Sequence, residues 1–131
     1  MTTLNLYPDP LMFRLARWQG DVAVMALQHY QRYATSAGWI TVPTGFETDG
    51  LSIPRAAWPI VGPANGPAFR AGILHDYLYS KASNRLHGDI TRSEADELFL
   101  ETMYNLGIGW ARRHTIYTAV RMFGWRHYKR R

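Results

Sequence analysis

The spacing of apolar positions changes character partway along the chain, and that change sets the fold expectation. From Leu11 to Gln19, Met12, Arg14 and Ala16 alternate with Phe13, Leu15 and Arg17, the period of two that a strand requires. Gly20-Asp21 reads as the turn of a hairpin whose second strand runs from Val22 to about Gln28. Val22, Met25, Ala26, His29, Tyr30 and Tyr33 also fit helical spacing, but Val22 and Val24 behind a tight turn favour the pleated alternative. Trp39 to Val42, bounded by Gly38 and Pro43, is a short strand, and Phe46 to Thr48 is another beyond the Thr44-Gly45 turn. From Asp49 to Gly66 the recurring prolines and glycines enforce an irregular, packed loop, and loops of that length inside compact domains are often functional.

Helical spacing takes over after Gly66. Pro67 suits a first helical position, and Ala68 to Tyr79 makes the first helix. Thr91-Arg-Ser-Glu94 is a capping box, in which the Thr91 hydroxyl and the Glu94 carboxylate satisfy orphan backbone donors. The helix it starts runs to Leu106 and stops at Gly107, a residue suited to a left-handed cap. Gly109 to about Trp125 is the third helix, with Ile116, Ala119, Val120 and Phe123 as its apolar stripe. Strands first and helices last predict an α+β fold, a small N-terminal antiparallel sheet packed against three C-terminal helices, in a single domain over residues 1–131.

Composition agrees with a folded domain. A 131-residue chain buries roughly two-thirds of the surface its unfolded form exposes, and 47% hydrophobic with 19% charged residues are globular values. Five Trp, eight Tyr and five Phe supply much of the area to be buried. The absence of cysteine excludes disulfides, thiolate metal sites and Cys nucleophiles. The N-terminus lacks the basic and apolar regions of a signal peptide, and no apolar run reaches the ~20 residues of a membrane span. A cytoplasmic location is therefore expected, with association to a particle leaving no mark in the sequence. The net charge of +5 is concentrated between Arg112 and Arg131, where no acidic residue occurs. A solvated, dipole-complementing helix end is the preferred reading of that run, ahead of a nucleic-acid contact, because no nucleic-acid motif accompanies it.

Three sets of residues carry candidate chemistry. Asp96 shares a helical face with Phe99, and a carboxylate on an apolar stripe must find a partner if it is buried; His75, Arg55 and Arg92 are the obvious donors. His75 and Asp76 close the first helix, with Ala71, Leu74, His75 and Leu78 on one face and Asp76 on the flank with Gly72 and Tyr79. Adjacent helical positions point in different directions, so this dipeptide is a weak metal motif by spacing alone. A core histidine bonded to a backbone carbonyl or to Asp96 is the plain alternative. The third set is the loop Thr48 to Arg55, where Asp49 and Ser52 can cap backbone donors and Arg55 can clamp a carboxylate. His29, His87, His114 and His127 read as surface or packing residues.

These residues also carry a resemblance. Ile40-Thr-Val-Pro-Thr-Gly-Phe-Glu-Thr-Asp-Gly-Leu-Ser-Ile-Pro-Arg55, His75-Asp-Tyr-Leu-Tyr79, Arg92-Ser-Glu-Ala-Asp96 with Phe99, and Tyr117-Thr-Ala-Val-Arg-Met-Phe-Gly124 occur in order. Together they resemble the DUF1353 family over about residues 11 to 125, leaving a basic tail at 126–131. Leu51 departs from the alanine usual there. The resemblance implies a phage or prophage origin and singles out Asp49, Ser52, Arg55, His75, Asp76 and Asp96, without implying a reaction.

Two functions follow as expectations. In the first, the chain is a hydrolase: His75 with Asp49, Asp76 or Asp96 acts as an acid/base pair, or His75, Asp76 and Asp96 hold a divalent metal such as zinc, with Arg55, Ser52 and Tyr79 on the substrate side. A cell-wall bond would be a natural substrate for a phage enzyme. In the second, it is a non-enzymatic virion, assembly or host-protein-binding module, and the His/Asp/Arg set is a buried network that fixes the fold.

Overall fold

Gly20, at a φ of +61°, makes the first turn, and the strands on either side of it pair as the alternation predicted. In a computed structural model that describes residues 6–48, 58–61, 66–83, 90–126 and 128–129, β1 (Phe13–Gln19) runs antiparallel to β2 (Val22–Leu27), with a register shift between Leu15 and Arg17. That irregularity breaks the alternation of β1 and leaves Leu15 and Trp18 exposed. The chain divides into two compact units, Met1–Asp49 and Gly50–Arg131.

The first unit holds two small sheets rather than the one expected. β1, β2 and β5 (Glu47–Thr48) form one, while β3 (Gln31–Thr35) and β4 (Gly38–Val42) form the other, all antiparallel. The strand at Gln31–Thr35 was hidden in the sequence because only Gln31 and Tyr33 alternate inward, and one of those is polar. Gln31 is buried because its amide donates to the Pro10 carbonyl at 2.7 Å. Asp9 lies just upstream and accepts a forked pair of bonds from the Arg32 guanidinium and a third from the Arg32 backbone N–H. Val24, Ala26, Leu27, Tyr33, Ile40 and Val42 are the buried apolar positions of these strands.

The second unit begins with a single turn, α1 (Trp58–Val61), inside the stretch read as irregular. Then come α2 (Pro67–Tyr79), a 3-10 turn at Lys81–Ser83, α3 (Arg92–Asn105), α4 (Trp110–Phe123) and a closing 3-10 turn at Gly124–Arg126. α2 packs on α3, and α3 on α4. The capping box forms with one change of detail. Thr91 Oγ1 accepts from the Glu94 backbone N–H at 3.1 Å, but the Glu94 carboxylate accepts a hydrogen bond from the Thr91 hydroxyl rather than from its backbone N–H. Gly107, at a φ of +85°, ends α3 where the sequence placed the stop. Strands in the N-terminal part followed by helices make the arrangement α+β.

Candidate functional site

Every residue from Ala71 to Ser80 is buried, so α2 is enclosed on all sides rather than along one stripe. Its polar residues therefore must find partners inside, and two of them do so on the same atom. His75 and Tyr79 stand four residues apart, one above the other on a helical face. His75 Nε2 lies 2.7 Å from Asp96 Oδ1, and the Tyr79 hydroxyl donates to that oxygen at 2.6 Å. A carboxylate has no proton to offer, so the hydrogen on Nε2 belongs to the imidazole and points at Asp96.

The other carboxylate oxygen faces cations. Arg121, on α4, donates to Asp96 Oδ2 at 2.7 Å, and Arg92, four residues before Asp96 on α3, brings its Nε to 3.9 Å. Arg92 Nε also donates to the Tyr79 hydroxyl at 3.3 Å, while its Nη2 donates to the carbonyls of Val120 and Arg121 at the end of α4. Three helices thus converge on one carboxylate. Burial acts to raise the Asp96 pKa, but the His75, Tyr79 and Arg121 bonds outweigh it and hold the group below the ordinary carboxylate value. The same burial, together with the carboxylate, pushes the Tyr79 hydroxyl well above its usual value, which keeps it a donor.

His75 and Asp96 are both completely inaccessible. The imidazole is fixed on its faces as well, by the Tyr79 ring at 4.1 Å and the Phe99 ring at 4.5 Å between centroids. Its second nitrogen is different. Nδ1 is buried and has no hydrogen-bond partner among the described residues. Since nearly all buried polar atoms are paired, an orphan of this kind calls for an explanation.

A strap of chain beyond α4 completes the enclosure of Tyr79. The Lys129 backbone N–H donates to the Tyr79 carbonyl at 2.6 Å, and the Tyr128 ring meets the Tyr79 ring edge-on at 5.3 Å. Gly124 lies so close that a Cβ there would fall 2.8 Å from the Tyr79 hydroxyl. The Lys129 ammonium donates to the carbonyls of Leu78 and Ser80 and to the Ser83 hydroxyl, tying the strap to the end of α2.

Of the residues singled out by sequence, His75 and Asp96 meet directly, with Arg92 beside them. Asp76 is buried too, where the flank of an amphipathic helix had been expected, because α2 has no exposed flank. Tyr79, expected to contact substrate, has its hydroxyl on Asp96. Asp49, Ser52 and Arg55 lie outside the described residues, as does Leu51. Arg121 and Gly124 were not singled out, although both stand in the closing motif Tyr117 to Gly124 quoted above. Both oxygens of Asp96 are engaged by protein donors, and among the described residues no group of three or more His, Asp or Glu side chains is placed to hold a metal. No helix among the described residues is long and apolar enough to cross a membrane.

Comparison with known proteins bears on the same residues. A stretch of 47 residues is 43% identical to the uncharacterized protein y4jT of Sinorhizobium fredii (strain NBRC 101917 / NGR234), covering 35% of this chain but 14% of that protein. No solved structure matches. Residues 25–120 match the model of the family described as "Protein of unknown function (DUF1353)", a span that takes in His75, Tyr79, Arg92 and Asp96 and stops one residue short of Arg121. With most of its length matched, the chain belongs to the DUF1353 family.

Proposed function

We propose that this protein is a small hydrolase in which His75 is the acid–base group and Asp96 the residue that positions it. One observation carries the reading: Nε2 is held on Asp96 at 2.7 Å while the buried Nδ1 has no hydrogen-bond partner among the described residues. That is the arrangement of a histidine–carboxylate dyad, with the carboxylate setting the tautomer and the second nitrogen left to exchange protons with water or substrate. Arg92 and Arg121 keep Asp96 ionised, so it can stabilise positive charge as it forms on the imidazole. The metal set His75, Asp76 and Asp96 is not part of this reading, because both oxygens of Asp96 are already engaged by protein donors. The substrate class this reading takes is a cell-wall linkage, the bond a phage enzyme would cleave.

A second reading has its own support. Complete burial of both His75 and Asp96 suits a polar network that fixes three helices in a non-enzymatic binding or assembly module. One experiment separates the two. Wild type, His75→Gln and Asp96→Asn are assayed on peptidoglycan fragments and on chromogenic esters, amides and glycosides, with folding followed by circular dichroism. The hydrolase reading expects turnover by wild type and a loss of about 10²–10⁴-fold in folded His75→Gln. Absence of turnover by wild type across the panel, or turnover unchanged in His75→Gln, contradicts it.

A further inference from the structure

A fully buried imidazole meets no substrate until something covering it moves. Two rings lie against His75, those of Phe99 and Tyr79, and they differ in what their displacement would disturb. Phe99 stands midway along α3, the helix that packs on both α2 and α4, and it is itself fully buried. Withdrawing it would part the helices. Tyr79 is the last residue of α2, and the short strap that follows α4 packs against it.

We propose that this strap is a latch: it holds the Tyr79 ring over His75, and its release opens the imidazole to solvent and substrate. This rests on the reading of His75 as the reacting group and adds how that group is reached. The Asp96 network does not hang on the strap. His75, Tyr79, Arg92 and Arg121 supply the Asp96 contacts, and all four stand on α2, α3 and α4. Arg92 also holds the Val120 and Arg121 carbonyls, so the last turn of α4 stays capped when the strap leaves. Release therefore frees Tyr79 to swing aside while Arg121 and His75 keep their places on the carboxylate.

The tethers of the strap are of a kind that water can replace. The Lys129 ammonium reaches the Leu78 and Ser80 carbonyls at 3.2 Å each and the Ser83 hydroxyl at 3.1 Å, and the Tyr128 hydroxyl donates to the Ile90 carbonyl. Carbonyls at a helix C-terminus lack partners within the helix and are satisfied by water as readily as by a side chain. A freed ammonium regains its own hydration in the exchange. Lys129 is also held at a φ of +55°, in the left-handed region that a β-carbon disfavours. Its backbone N–H on the Tyr79 carbonyl and its ammonium on the end of α2 keep it there. Opening relaxes that conformation, and strain of this kind collects where a segment must switch.

Two readouts test the latch, and neither is turnover. Native-state hydrogen exchange by NMR on the full chain follows the Lys129 amide, the donor to the Tyr79 carbonyl. It should exchange about 100-fold faster than amides midway along α3, because the strap opens while the helices stay folded. Diethyl pyrocarbonate, mapped by mass spectrometry, reads access to His75, with half-buried His114 as the internal reference. In wild type His75 should react far more slowly than His114. In folded Tyr128→Ala/Lys129→Met the rate at His75 should rise about tenfold with His114 unchanged, because the lost tethers populate the open state. A Lys129 amide as slow as those of α3 overturns the proposal, and so does a folded variant whose His75 is no more reactive than in wild type. If the double variant does not fold, Lys129→Met alone, which leaves the Tyr128 contacts in place, is held to the same outcomes. A chain that hydrolyses nothing yet passes both readouts would sink the hydrolase and keep the latch; an active chain that fails them would sink the latch alone.

Discussion

Asp96 concentrates the energetics of the second unit, because it is an ionised group with no access to water and four donors around it. Replacing it with Asn removes the charge that Arg92 and Arg121 face and offers His75 an amide in place of a carboxylate. Breaking a buried pair from one side costs about 3 kcal/mol, moderated here because Arg121 reaches solvent. Asp96→Asn should therefore lower the thermal midpoint clearly, in calorimetry or circular dichroism. The pH dependence has a defined sign. The Asp96 carboxyl is held below its ordinary value of 3.8, so its contribution to stability is full above that value and disappears as pH falls through the lowered one. Melting curves of wild type and Asp96→Asn should converge in acid and separate toward neutrality. Equal separation at every pH would mean that the carboxylate charge does not matter to the fold.

At the scale of elements, capping and stopping residues were legible and lateral packing was not. Thr91 and Gly107 marked both ends of α3 because their signals are local and need no tertiary partner. Thr91→Ala should cost about 1 kcal/mol, the usual loss of an N-cap, measurable by urea denaturation. The first hairpin was legible for the same reason, its turn and alternation being local. β3 was not, since its inward positions include Gln31, whose burial depends on the distant Pro10 carbonyl. Within the site, His75 and Asp96 were found as awkward polar residues on apolar faces. Arg121 was not, because the basic run of α4 gave no sign that one of its arginines turns inward. The four-residue spacing of His75 and Tyr79, and of Arg92 and Asp96, is the signal that joins them. The strap after α4 belongs to the same account. Gly124→Ala should drive a methyl into the Tyr79 hydroxyl, costing about 1–3 kcal/mol of overpacking and disturbing the Asp96 network from outside it. A Gly124→Ala variant as stable as wild type would show that Tyr79 has room to move.

For the whole molecule, the sequence indicated an α+β chain of the DUF1353 family and a polar cluster drawn from distant segments; of that cluster His75, Asp96 and Arg92 meet within the second unit, while Asp49, Ser52 and Arg55 lie outside the described residues. The proposal turns on Asp96 fixing His75 as a proton donor through Nε2, which would leave Nδ1 as the reactive nitrogen. Long-range proton–nitrogen NMR on selectively labelled His75 reads this directly at neutral pH. The account predicts a protonated Nε2 and an unprotonated Nδ1, with that preference weakened in folded Asp96→Asn. A proton on Nδ1, whether as the other tautomer or as a permanent imidazolium, would contradict it.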